Sequence, residues 1–139
     1  MEITRKEYCI DSDVLIDFMR GLKVAHDFLV YESAHGRLSI SVVSCVELWA
    51  GSATKKGGGS NVLQEVDRLE RFLDGFDLIA VDKSMARRAG ELRREYHTPF
   101  ADAIIAASAL EYGLGLVTRN IRHFEKISKS EGLMLVKPY

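Results

Sequence analysis

The stretch that decides the fold is Pro99–Leu110, Pro-Phe-Ala-Asp-Ala-Ile-Ile-Ala-Ala-Ser-Ala-Leu. Proline suits the first position of a helix, where its missing N–H would have no partner anyway, and Thr98 stands where a cap is expected. From Ala103 to Leu110 no side chain is charged and no polar stripe runs along the segment. A helix apolar on every side is buried on most of them, which implies a central helix pressed onto a sheet. Asp102 interrupts this pattern. It sits in the first turn, where the helix dipole favours a negative charge. A surface acid matched to the dipole satisfies that position equally well, so its meaning depends on whether other acids converge on it.

Upstream, Tyr8-Cys9-Ile10 is an apolar run that stops at Asp11-Ser12-Asp13, the pattern of a buried parallel strand with a polar carboxyl end. A short helix over Val14–Arg20 is stopped by Gly21, and a second runs from Val24 to about His35-Gly36. Leu38-Ser39-Ile40 reads as a strand, after which Ser41 caps a helix over Val42–Ala50. The low-complexity stretch 52–60 is expected to be a mobile loop, and its part Lys55–Ser60 to tolerate shortening at little cost, because loop entropy changes slowly with length. Asn61 restarts a helix with apolar positions at Val62, Leu63, Val66, Leu69, Phe72 and Leu73. Asp77–Val81 is expected as a strand, with Asp82 capping a helix whose stripe is Met85, Ala89, Leu92 and Tyr96. Beyond the central helix, closed by Gly113, come a strand at Gly115–Val117, a helical turn around Phe124 and Ile127, and a strand at Leu133–Val136. Strands alternating with helices predict an α/β fold, a parallel sheet covered on both faces.

Bulk properties bound the rest. The 139 residues are expected to form a single domain, 1–139, burying about two-thirds of the surface of the open chain. A hydrophobic content of 47% excludes a disordered chain, and a formal charge of −1 provides no overall basic field for nucleic acid. Cys9 and Cys45 lie in apolar runs and read as buried thiols of a reducing compartment, without the histidine spacing of a zinc site. With no long apolar run and no signal-peptide core, a cytoplasmic location is expected.

In an open α/β sheet, ligands bind in the crevice at the carboxyl ends of the strands. Asp11 follows the first strand, Asn120 lies just past the fourth, and Asp102 opens the helix before it. Glu47 falls on the helical face of Val43 and Ala50, read as inward, where a carboxylate is costly unless a positive group meets it. Three acids and an amide at such an edge repel one another without a cation, and hard oxygen donors suit Mg²⁺ or Mn²⁺. Ser12 and Thr118 are expected to orient the carboxylates with their hydroxyls, although turn chemistry explains them equally well.

These residues resemble a PIN-domain protein of the VapC-type toxin ribonucleases. Tyr8–Ile16 resembles the opening strand and first acid, and Ser41–Gly51 the helix with its Glu-Leu pair. Ala101–Ala107 is similar to the third motif and Thr118–Phe124 to the fourth, all in order over most of the chain. The resemblance implies a three-layer α/β/α sandwich around a parallel sheet of about five strands. It implies an endoribonuclease toxin of a type II toxin–antitoxin pair, dependent on Mg²⁺ or Mn²⁺, which cuts RNA with metal-activated water. A homodimer with its two clefts on a shared face and a cognate antitoxin are further implications. Asp11, Glu47 and Asp102 become its acids and Asn120 the fourth catalytic position, with the metal on Asp11 and Asp102. That fourth place is often Asp, so Asn120 removes one charge.

Two other readings compete. Asp11-Ser12-Asp13-Val14 after a strand also resembles HAD-type phosphatases, with Asp11 as nucleophile, but that class needs a later lysine and a further acidic pair. A non-catalytic PIN module that only binds a protein partner is the other. For RNA, the candidate phosphate contacts are Arg119 and Arg122, with His123, Lys126, Lys55 and Lys56. Arg87-Arg88 and Arg93-Arg94 read as a solvated helix face. Trp49, Phe18 and Met19 offer either core packing or an apolar surface for an antitoxin helix.

Overall fold

At the centre of the sheet is β1 (Lys6–Ile10), whose Tyr8, Cys9 and Ile10 are buried, as a strand covered on both faces requires. The structure is a computed structural model and describes residues 6–51 and 62–139. The predicted loop 52–60, with Lys55 and Lys56, and the restart at Asn61 lie outside the described residues. After β1 come α1 (Ser12–Met19), α2 (Lys23–His35), β2 (Gly36–Ser41), α3 (Val42–Gly51) and α4 (Val62–Asp74). The chain continues through β3 (Asp77–Ile79), α5 (Lys83–Tyr96), α6 (Phe100–Glu111), β4 (Gly115–Val117), α7 (Ile121–Glu131) and β5 (Leu135–Val136). The strand order is β3-β2-β1-β4-β5 and every pairing is parallel. From β1 the chain first winds outward through β2 and β3, then returns to the other side for β4 and β5. The reversal falls between β1 and β4, and a crevice opens there at the strands' carboxyl ends.

Strand alternation divides the core. Cys9 and Leu116 pack with α5, α6 and α7, whereas Tyr8, Ile10 and Val117 pack with α1, Leu29 of α2, Leu48 of α3 and Leu69 of α4. The helix α6 buries every residue from Ala103 to Ala109, as its composition requires. Cutting Ile105 to alanine there would cost about 2–5 kcal/mol. Gly36 starts β2 against the Lys6 carbonyl, so closely that a Cβ would collide with it.

Several expected details differ. Pro99 is the cap of α6 and not its first residue: its backbone is extended, its carbonyl accepts the Ala103 N–H at 2.9 Å, and buried Thr98 makes no capping bond. Both Ser41 and Asp82 do cap, accepting from the N–H groups of Val43 at 3.2 Å and Met85 at 2.9 Å. β3 stops at Ile79 because its partner β2 ends at Ser41, opposite that residue. β5 is limited in the same way by the short β4. Leu63 lies off the Val66–Leu69–Leu73 stripe of α4 and is 83% exposed. Cys9 is buried, its thiol pushed up to about 12 chiefly by desolvation, but Cys45 is only half-buried. Trp49, Phe18 and Met19 are partly buried against the core, Phe18 being stacked on Phe72 with centroids 4.5 Å apart.

Candidate active site

The crevice between β1 and β4 is built around Asp11. Its backbone N–H donates to the Val117 carbonyl at 2.9 Å, continuing the β1–β4 ladder by one residue. Its side chain caps α1, accepting from the Ser12 N–H at 2.7 Å. The Thr118 hydroxyl donates to the other carboxylate oxygen at 2.7 Å and itself accepts the Asn120 N–H at 3.0 Å. Thr118 therefore ties the end of β4 to the end of β1 and orients Asp11, the role expected of it.

Ser12, also expected to orient an acid, donates to Glu47 Oε1 at 2.8 Å and lies 3.0 Å from the Ser44 hydroxyl. Glu47 departs from expectation. The buried line of α3 is Ser44 and Leu48, and Glu47 is exposed at the crevice rim, so no buried cation is needed to satisfy it. Asp102, half-buried in the first turn of α6, has His123 Nδ1 3.4 Å from its Oδ2. Asn120 precedes α7 and is exposed. Its side chain makes no capping bond, and only its backbone joins the network.

Two acids of the crevice wall escaped the sequence reading. Asp13 Oδ2 accepts the Arg119 N–H at 2.9 Å, while its Oδ1 is buried with no hydrogen-bond partner. Asp17 is buried, paired with Arg119 Nε at 2.6 Å and bonded by the Tyr139 hydroxyl at 2.6 Å. Asp13 and Asp17 stand one turn apart on α1, and two like charges at that spacing destabilise a helix unless a cation serves them. That spacing was the available signal. Arg119, expected to contact RNA, is this cation. Arg122 is exposed, in the first turn of α7.

The charges are out of balance. Asp11 is pushed up to about 7, first by burial and then by Asp13, with Asp102 adding to the effect and the Thr118 bond opposing it. Burial also raises Asp13 against the pull of Arg119, and raises Asp102 against the pull of His123. Among the described residues, no three His, Cys, Asp or Glu side chains gather tightly enough to enclose an ion unaided. Asp11, Glu47 and Asp102 thus face one crevice without forming a closed cage. A hard divalent ion fits such a set, because Mg²⁺ is commonly held by one or two carboxylates with water and phosphate completing its shell. The orphaned Asp13 oxygen and the raised Asp11 are what a missing positive charge would produce.

Comparison with known proteins agrees with this architecture. The PIN domain model matches residues 8–130. The ribonuclease VapC10 of Mycobacterium tuberculosis is 39% identical over 120 residues, covering 83% of this chain and 84% of the relative. A toxin–antitoxin complex from Klebsiella pneumoniae contains a chain with 28% identity and a TM-score of 0.75, covering 95% of this chain and 98% of that one. A DNA-bound VapBC from Salmonella typhimurium, 21% identical, superposes with a TM-score of 0.79 over 98% of this chain and all of its counterpart (100%), which speaks to the fold alone.

Proposed function

The chain belongs to the PIN-domain family, and from that premise we propose that it is an endoribonuclease, the toxin of a toxin–antitoxin pair, dependent on Mg²⁺ or Mn²⁺. The family match speaks against the phosphatase reading, and in the proposed reading Asp11 is a metal-binding acid in place of a nucleophile. The observation that carries the proposal is a buried Asp11 beside Asp13 and Asp102 at the reversal of strand order. No lysine or arginine side chain pairs with it among the described residues, His123 serving Asp102 alone.

Asp11 and Asp102 would hold the ion, with Glu47 at the rim. When bound, the ion offsets the negative charge of an in-line phosphoryl displacement and makes water a stronger nucleophile. The protein supplies position. Thr118 fixes one Asp11 oxygen by its hydrogen bond, Ser12 holds one Glu47 oxygen, and His123 steadies Asp102. Asn120 adds no charge, so a second tightly held ion lacks its usual acid. Arg122 reaches for phosphate oxygens of the RNA.

The partners follow the same premise: RNA as substrate, a cognate antitoxin, and a second copy of this chain as a homodimer. Among the described residues no helix is long and apolar enough to cross a membrane. The test is purified protein against a panel of cellular RNAs with Mg²⁺, with Mn²⁺, or with chelator. Discrete cuts that vanish with chelator are expected. Intact RNA under every condition would leave the protein-binding module in its place.

A further inference from the structure

Phe100 opens α6 two residues before Asp102 and leaves 65% of its surface exposed, in a helix that buries every residue from Ala103 to Ala109. Arg93 of α5 stands against it, the guanidinium carbon 5.7 Å from the ring centroid. The turn between them is unusual. His97 has a φ of 54°, a left-handed conformation rare for a residue with a side chain, and it swings the chain through Thr98 and Pro99 into α6. This turn sets the largest apolar side chain of the helix at its N-terminal end, two residues from Asp102 and at the same edge of the sheet.

We propose that Phe100 and Arg93 form a stacking platform for an unpaired RNA base beside the scissile phosphate, a reading that rests on the ribonuclease function above. Helix geometry puts the backbones of residues two apart at about 5.5 Å, roughly one nucleotide step from the metal-binding Asp102. Side chains at that spacing point to different sides, so the ring stands on the α5 side with Arg93 and meets a base, while Asp102 on the α7 side meets the phosphate. The need for such a device is electrostatic. The chain carries a net charge of −1 and the crevice is acidic, so a polyanion must be held by stacking and by local cations. A nucleotide satisfies ring and guanidinium together, whereas an apolar protein surface would have to strip water from Arg93 without replacing it.

The test uses the full chain and a single-stranded oligoribonucleotide spanning a wild-type cut site, with 2-aminopurine placed in turn at each neighbouring position. In the Asp102→Asn protein, which holds RNA uncut, emission is expected to be quenched at one position next to the cut. Adding Phe100→Ala to Asp102→Asn should abolish that quench. In the otherwise wild-type enzyme Phe100→Ala should raise KM about tenfold with kcat within about twofold, and Phe100→Trp should restore KM. Arg93→Gln should raise KM about threefold and flatten its salt dependence. An unchanged quench, or a Phe100→Ala KM equal to wild type in an enzyme that cuts RNA, overturns the platform alone. Wild-type protein that cuts no RNA overturns the ribonuclease reading with it. Dissociation of a larger assembly by Phe100→Ala in sedimentation would assign the ring to a protein contact and also overturn the proposal.

Discussion

Asp11 and Asp17 stand at opposite ends of α1 and are almost equally buried, 5% and 7% exposed, yet they are treated in opposite ways. Asp17 lies near the C-terminal end, where the helix dipole opposes a negative charge. It is given Arg119 in a two-pronged contact, at 2.6 and 3.2 Å, and the Tyr139 hydroxyl as well. Asp11 has the favourable dipole end and two good hydrogen bonds, but its charged neighbours are acids, and they help to push it up to about 7. The fold can neutralise a buried carboxylate when the need is structural. At Asp11 the described residues supply no cation, and in the proposed function a bound ion provides the positive charge.

The largest effect is expected where the positive charge is missing. Asp11→Asn should lower RNA cleavage by about two to three orders of magnitude, the loss typical of a group that stabilises charge at the reacting centre. Initial rates on the oligoribonucleotide measure it, and a rate within tenfold of wild type would remove the distinction between the two ends of α1.

The pH dependence of stability comes next. The folded pKa of Asp11, about 7, lies above the ordinary carboxylate value of 3.8, so between these values the folded state binds more protons than the unfolded. Stability of the metal-free protein is therefore full at about pH 4 and falls as the pH rises through 7, with a slope of at most about 1.4 kcal/mol per pH unit for one proton. Urea unfolding at a series of pH values, with chelator, is the measurement. Saturating Mn²⁺ should flatten the curve, since the ion replaces the proton.

At the paired end the effects are on folding. Arg119→Met leaves Asp17 buried without its cation and should cost about 2 kcal/mol, less than a fully buried pair because Arg119 is partly exposed. A smaller loss still, about 1 kcal/mol, is expected for Tyr139→Phe, which removes one hydrogen bond to Asp17. Both are read from urea midpoints. A large fall in metal affinity from Tyr139→Phe would mean that the two ends are not separate.

What could be read in the sequence follows the range of the signals. The buried α6, the ladder of strands and the caps at Ser41 and Asp82 rest on local pattern, and the fold bears them out. Asp11, Asp102 and Thr118 were legible because strand ends in a parallel sheet all meet at one edge. Glu47 was placed on the right helix but read as inward, whereas it is exposed, since an apolar α3 offers no clear stripe by which to judge burial. Arg119 was assigned to RNA because its partner Asp17 lies 102 residues away, and Tyr139 joins them from still further along the chain. Such pairings depend on the assembled sheet and leave no periodic trace.

The most direct test is the melting temperature of Asp102→Asn with and without Mn²⁺, measured beside its cleavage rate. Wild type should gain roughly 5–10 °C from Mn²⁺ at a hundredfold its dissociation constant. Without metal, Asp102→Asn should melt at or above the wild-type temperature, because a burdened negative charge is gone from beside Asp11. It should lose most of the Mn²⁺ gain and cut no RNA. A variant that melts lower, keeps the Mn²⁺ shift and cuts at the wild-type rate would show Asp102 to be a cap matched to the helix dipole, and would contradict the site.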